Sequence, residues 1–390
     1  MGTTEWIVVG LVVSARLLLP LAIPYYPLVG VIVCLVLDAI DQSIFQQFPA
    51  IPLEGYQSYD KALDIYYLSL TYLATLRNWT SHPGFRTSQL LWYYRLVGVV
   101  AFELTQVRAL LLIFANTFEY FFIFYEAVRL RWKASHIGWG TAIVAAAMIW
   151  VFIKLPQEWW IHIAQLDMTD FIKETLFGVS KDASWTEAIS ANPLVLVAAI
   201  AVLALLILVA WWIITRKAPP GDRRPGIKAD PLPPELQGAE LYRTVRASSR
   251  VFDWALVEKV ALLGLISVIF AQILDVRLGT VGVIVFVAIF VAINAMVSQW
   301  IARRGRTYSS VAIELAAMAL VNLGVVLALQ VLERVLGLID SPAPVSTTLF
   351  VIFLVTVITV LFDRYRTVYM ARRILADASG EVAPREGRPA

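Results

Sequence analysis

Apolar residues along this chain come in long runs broken by short polar stretches, and the length of those runs predicts the architecture. A helix that crosses a bilayer needs about 20 mostly apolar residues. On that measure eleven segments qualify, at 6–23, 27–40, 61–76, 89–107, 109–128, 137–155, 193–215, 254–274, 278–299, 309–332 and 345–363. Pro20, Pro24 and Pro27 separate the first two, which predicts two close-packed helices joined by a tight turn. As a single helix, 89–128 would be about 60 Å long at 1.5 Å per residue, so it reads as two. The expected fold class is an all-α, polytopic transmembrane helical bundle with about 10–11 spans in two membrane blocks.

The polar stretches divide the chain and orient it. Basic residues cluster at Arg129, Arg131 and Lys133, at Arg216, Lys217, Arg223, Arg224 and Lys228, at Arg303, Arg304 and Arg306, and at Arg364, Arg366, Arg372 and Arg373. Short loops rich in Lys and Arg face the cytoplasm, and alternating spans place all four clusters there. The acidic 156–192 segment, with Glu158, Asp167, Asp170, Glu174, Asp182 and Glu187, then falls outside. Its Trp159 and Trp160 suit an interfacial helix. Residues 216–253, with Pro-Pro at 219–220 and 233–234, read as a cytoplasmic linker. The domains expected are an N-terminal membrane domain over 1–215, that linker, a four-helix C-terminal membrane domain over 254–370 with few contacts to the first, and a tail over 371–390.

Composition supports the same class and removes others. Hydrophobic residues are 59% of the 390 and charged residues 16%, outside the balance of a soluble domain. A net charge of +3, spread over a few loops, gives no extended basic stripe for nucleic acid. The lone cysteine, Cys34, lies in an apolar run and reads as a small buried hydrophobe. His82, His136 and His162 lack zinc-ligand spacing. The N-terminus has no basic n-region, so the first run reads as a retained span. The expected location is the plasma membrane, multi-pass, with the C-terminus in the cytoplasm and the lipid bilayer as the first partner.

The candidate chemistry lies in Asp38, Asp41, Asp60 and Asp64. Asp38 and Asp41 are three apart and Asp60 and Asp64 four apart, so on helices each pair shares a face. Ionisable groups at membrane depth are costly and mark sites by default. Four carboxylates converging in a low dielectric repel one another, and a hard divalent cation such as Mg²⁺ or Mn²⁺ relieves that. Metal-assisted phosphoryl transfer is the chemistry such a site supports. The alternative is that the aspartates cap helix ends and pair with Lys61, Arg16 or Arg77. Arg95, Glu103, Arg108, Glu119 and Glu126 invite the same choice between a polar pathway and interhelical pairing, with pairing favoured.

The stretch Leu37-Asp38-Ala-Ile-Asp41 followed by Gly55-Tyr-Gln-Ser-Tyr-Asp60-Lys-Ala-Leu-Asp64, preceded by Ser14-Ala-Arg16-Leu-Leu-Leu-Pro20, resembles the CDP-alcohol phosphatidyltransferases. It departs from that family's signature at Gln42, which stands in place of Gly, at Phe45 and Gln46, which replace Ala-Arg, and at Gly55, which is one residue early. The resemblance implies metal held by Asp38, Asp41, Asp60 and Asp64, with Asp64 as the base that deprotonates an acceptor alcohol. Two function classes follow: a diverged metal-dependent lipid-phosphate enzyme acting on a lipid or polyprenol phosphate, or a non-enzymatic transporter or structural subunit with membrane-protein partners.

Overall fold

A computed structural model describes residues 2–46, 56–166, 168–216, 219–223, 226–232, 254–273, 287–296, 300, 311–335 and 345–378. Gly55, Asp167, Lys217, Arg224, Pro233, Pro234, Arg303, Arg304, Arg306 and the end of the tail lie outside these residues. The described residues are 85% helical and include no strand, so the all-α class holds. Among the described residues, five helices are long and apolar enough to cross a membrane: Thr3–Ala22, Ala109–Arg129, Trp139–Ile163, Trp254–Ile273 and Thr347–Ile374. A pair bent by 93°, Trp185–Ala191 and Pro193–Val209, would make a sixth.

Helices α1 (Thr3–Leu18) and α2 (Pro27–Gln46) are joined by a 3₁₀ turn at Leu19–Ala22, and Pro27 opens α2 where its missing N–H costs nothing. Helix α3 (Tyr56–Asn78) runs back alongside, and α4 (His82–Thr105) returns after a cap in which Ser81 accepts from the Gly84 N–H. Gln106, in the left-handed region at φ 57°, ends α4 and splits the long 89–128 run as its length demands. Helices α5 (Ala109–Ile113) and α6 (Thr117–Arg129) complete that span. Gly98 on α4 allows the turn between them to approach, since a Cβ there would lie 2.0 Å from the Phe114 Cβ.

Helix α7 (Trp139–Ile163) continues through Pro156 by way of π-type turns at Trp150–Lys154 and Trp159–Ile163. Proline removes one backbone donor and crowds the preceding turn, and a widened turn absorbs both. The expected break at 155 is therefore replaced by a helix that carries Glu158, Trp159 and Trp160 on its last turns. Beyond it come α8 (168–177), α9 (Trp185–Ala191) and α10 (Pro193–Arg216). The C-terminal block holds α11 (Trp254–Ile273), α12 (Val287–Met296), α13 (Val311–Val335) and α14 (Val345–Ala378).

The expectation that this block makes few contacts with the rest does not hold. α14 lies beside α3 along its whole length, from Tyr59 Oη and Thr347 Oγ1 at 3.2 Å to Arg372 donating to the Arg77 and Trp79 carbonyls at 2.7 and 3.0 Å. Tyr66, Tyr72, Leu73, Trp92, Ile266 and Ile358 are all fully buried in one continuous core. A long polar linker separates segments in sequence, but apolar helix faces in both blocks have complementary surfaces and bury each other.

Linker residues 219–223 and 226–232 lie across one end of the bundle. Ala229 N–H donates to the Tyr25 carbonyl at 2.8 Å, Trp132 Nε1 to the Pro219 carbonyl at 3.3 Å, and Asp230 accepts from Arg129 at 3.2 Å. Asp222 accepts from the Lys133 N–H and meets His136 Nε2, each at 2.8 Å. The bond from His136 holds the Asp222 carboxyl below its ordinary 3.8. A carboxyl so lowered favours the docked strap above its ordinary value and loses that contribution as pH falls through the lower, docked-state value. Pepsin cleavage within 219–232 should therefore accelerate below about pH 3.8 relative to cleavage in Asp222→Asn, which is expected to be already fast.

Candidate functional site

The aspartates lie inside helices, not at their ends. α2 continues past the expected limit at 40 to Gln46, and α3 starts at Tyr56 instead of 61, so all four residues sit in helical turns. Capping is thus excluded for them. The physical reason is that, once a helix is nucleated, each further residue adds a backbone hydrogen bond, so both helices run on through these polar residues.

Helical spacing turns each pair to one side, and the two sides face Arg16 of α1. Its Nη1 donates to Asp41 Oδ2 and Asp60 Oδ1, and its Nη2 to Asp64 Oδ1 and, at 2.5 Å, to Asp38 Oδ1. Of the three cations proposed from sequence as partners, Arg16 alone takes that role. Lys61 instead meets Glu103 at 3.8 Å, and Arg77 donates to the Pro24 carbonyl and Asn78 Oδ1. The Arg16 side chain is 4% exposed and that of Asp41 3%, whereas Asp38, Asp60 and Asp64 are each about a third open. Three carboxylates therefore form an accessible rim over a buried arginine.

Carboxylate oxygens of Asp38, Asp60 and Asp64 all lie within 4.8 Å of one another. Opposite ligands of Mg²⁺ stand about 4.2 Å apart, so a small inward movement of these side chains would close them on one ion. The donors are hard oxygens, which suit Mg²⁺ or Mn²⁺ and not a soft metal. With every carboxylate ionised, the five groups carry a net −3, and a divalent cation would offset most of it. Asp41, bonded to the buried side of Arg16, is not part of that triad.

A second polar group adjoins the first through α3. Tyr67, one turn beyond Asp64, donates to Glu119 Oε1, and Asn116 Nδ2 donates to Glu119 Oε2 at 3.1 Å. The Asn116 N–H reaches Glu158 at 3.3 Å, and His162 Nε2 lies 3.0 Å from the same carboxylate. Arg95 donates to the Phe114 carbonyl, and Glu126 accepts from Trp79 Nε1 at 2.8 Å while pairing with Arg129 at 2.9 Å. Interhelical pairing, the reading favoured for these groups, joins Glu103 to Lys61 and Glu119 to Tyr67, whereas Glu126 takes its ion pair with Arg129 within α6. Glu314 lies 3.4 Å from Arg364, and Asn322 donates to Thr356 at 2.7 Å.

Sequence reasoning named Arg16 only as one of three partners. The available signal was its position as the lone cation of an otherwise apolar run, where an unpaired charge would be untenable. Tyr67 was missed; its spacing of three from Asp64 on a helix already carrying two acids was the clue. Comparison of the chain with family models, with curated proteins and with solved structures finds no match in any of the three.

Proposed function

We propose that this chain is a multi-pass plasma-membrane protein whose carboxylate group binds Mg²⁺ or Mn²⁺ and serves phosphoryl transfer on a lipid or polyprenol phosphate. The observation that carries the reading is the convergence of Asp38, Asp41, Asp60 and Asp64, from two helices, on one partly open point. A bound divalent ion would neutralise the carboxylates and polarise the phosphoryl oxygens. Asp38, Asp60 and Asp64 would hold it. In the transfer, the acceptor hydroxyl oxygen bonds to phosphorus as the bond to the donor oxygen breaks. Asp64 takes the hydroxyl proton, and the leaving group departs with the electron pair of the broken bond.

The same reading includes about ten or eleven spans and a cytoplasmic C-terminus. In its favour, helices α2, α3 and α4 lie within the same bundle as the five more apolar ones, and Arg77, Arg129, Arg223 and Arg372 gather at one end with the linker.

A second reading has its own observation. Arg16 alone bonds all four aspartates, as the centre of a purely structural ion network would. The protein would then be a transporter or a subunit of a membrane assembly.

Thermal unfolding with and without millimolar Mn²⁺ separates the two. A ligand that binds only the folded state raises its stability by about 2.7 kcal/mol at a hundred times its Kd. The metal reading expects a rise in the wild type that is lost in Asp38→Asn, Asp60→Asn and Asp64→Asn. A wild type indifferent to Mn²⁺ and Mg²⁺ removes it in favour of the ion network. For the enzymatic step, phosphate transfer from a lipid-linked donor should vanish in Asp64→Asn.

A further inference from the structure

The positions of the basic end and of the carboxylates along the same helices bear on which phosphate can reach the site. Arg372 donates to the Arg77 and Trp79 carbonyls, Arg129 and Arg223 share Asp230, and Ala229 bonds Tyr25. The turn after α1, the turn after α3, the end of α6, the linker and the end of α14 are therefore one surface, and it is densely basic. Positive charge of this kind stays on the cytoplasmic side. Asp64 and Asp60 precede Asn78, the last residue of α3, by fourteen and eighteen residues, which is about 21 and 27 Å along the helix from that end. Asp38 and Asp41 follow Pro27 by eleven and fourteen residues, about 17 and 21 Å along α2. The hydrocarbon core is about 30 Å thick. Lys61 meeting Glu103 at the far end of α4 fixes the same level from a third helix.

We infer that the carboxylate site works from the non-cytoplasmic half of the membrane, and that the phosphate it takes is carried by a long-chain lipid in that leaflet. This inference rests on the metal-site reading above. A nucleotide headgroup carries charge and sugar that do not cross a bilayer unaided, so a cytosolic CDP-linked donor of the kind the family resemblance implies does not meet these aspartates. A lipid phosphate does. Asp38, Asp60 and Asp64 are the open members of the group. The helices carrying Arg16 and Asp38 expose Trp6, Ile7, Leu11, Val33 and Val36 to the surrounding lipid, so a chain lying in the bilayer runs directly beside the site. The Gln42, Phe45 and Gln46 departures from the nucleotide-family signature agree with a site that no longer accommodates a nucleotide.

The test uses the full chain in a Cys34→Ala background. Val107→Cys, in the exposed turn after α4, reports the site end, and Lys133→Cys reports the basic end. An impermeant maleimide should label position 107 in intact cells and position 133 only in inside-out vesicles. In parallel, the purified protein in lipid nanodiscs with Mn²⁺ should gain thermal stability from added polyprenyl phosphate and none from CDP-diacylglycerol, with the gain absent in Asp64→Asn. Labelling of 107 only from the cytoplasmic side overturns the inference, as does stabilisation by CDP-diacylglycerol without any by polyprenyl phosphate. A wild type that ignores Mn²⁺ altogether overturns the metal-site reading instead, whatever the labelling pattern, so the two failures are distinct.

Discussion

Arg16→Gln is expected to lower the stability of the metal-free protein by about 3 kcal/mol and to make that stability depend steeply on divalent cation. Arg16 is the buried cation to which four carboxylates donate nothing and from which all four accept. Breaking a buried pair by deleting one partner costs about 3–5 kcal/mol, because the charge left behind has no compensation. The lower end applies here, since three of the four aspartates are about a third open and regain some hydration. If the carboxylates also hold metal, the ion and the guanidinium compete for the same oxygens. Millimolar Mn²⁺ should then recover most of the loss in Arg16→Gln, with half-recovery at a lower concentration than the wild type needs for its own shift. Thermal midpoints over a Mn²⁺ titration give both quantities. Loss of stability with no recovery at any concentration would leave Arg16 as the centre of a structural network and end the metal reading.

The second large effect concerns the joint between the two halves of the chain. Glu258 of α11 accepts from Tyr72 Oη at 2.8 Å and Gln89 Nε2 at 2.9 Å, and pairs with Arg366 of α14 at 2.8 Å. Beside it Lys259 pairs with Asp363 at 2.8 Å. Glu258→Leu should cost about 3 kcal/mol by stranding Arg366 and two donors among α3, α4 and α14. Adding Arg366→Leu should return part of that loss, since replacing both members of a buried pair by apolar residues is often near neutral. A double-mutant cycle in detergent measures the coupling, expected above about 1 kcal/mol. Additive costs would mean that the ion pair is not what joins the C-terminal helices to α3 and α4.

The number and placement of apolar runs determined the all-α class from sequence alone. Twenty apolar residues have few ways to satisfy their backbone in a bilayer, and the helix is the local one. Pro20, Pro24 and Pro27 likewise predicted the turn between α1 and α2, because a proline constrains its own φ and removes a donor whatever surrounds it. The sharing of a face by Asp38 with Asp41, and by Asp60 with Asp64, followed from helical periodicity before any tertiary contact was known.

Three things depended on the tertiary structure. The partner of the aspartates was one, because Lys61 is adjacent to Asp60 while Arg16 lies 22 to 48 residues from the four, and only helix packing turns Arg16 inward while Glu103 draws Lys61 away. The union of the two blocks was another: the polar linker suggested separation, yet α14 packs along α3 from Thr347 to Arg372. The third was the exposure of the aspartates, a buried Asp41 and an open Asp38, Asp60 and Asp64, which periodicity cannot rank. Local propensity and burial length are properties of a segment and can be read along the chain. Which charges meet, and which of them remain open, depends on how helices distant in sequence pack, and that is decided by the complementarity of their surfaces.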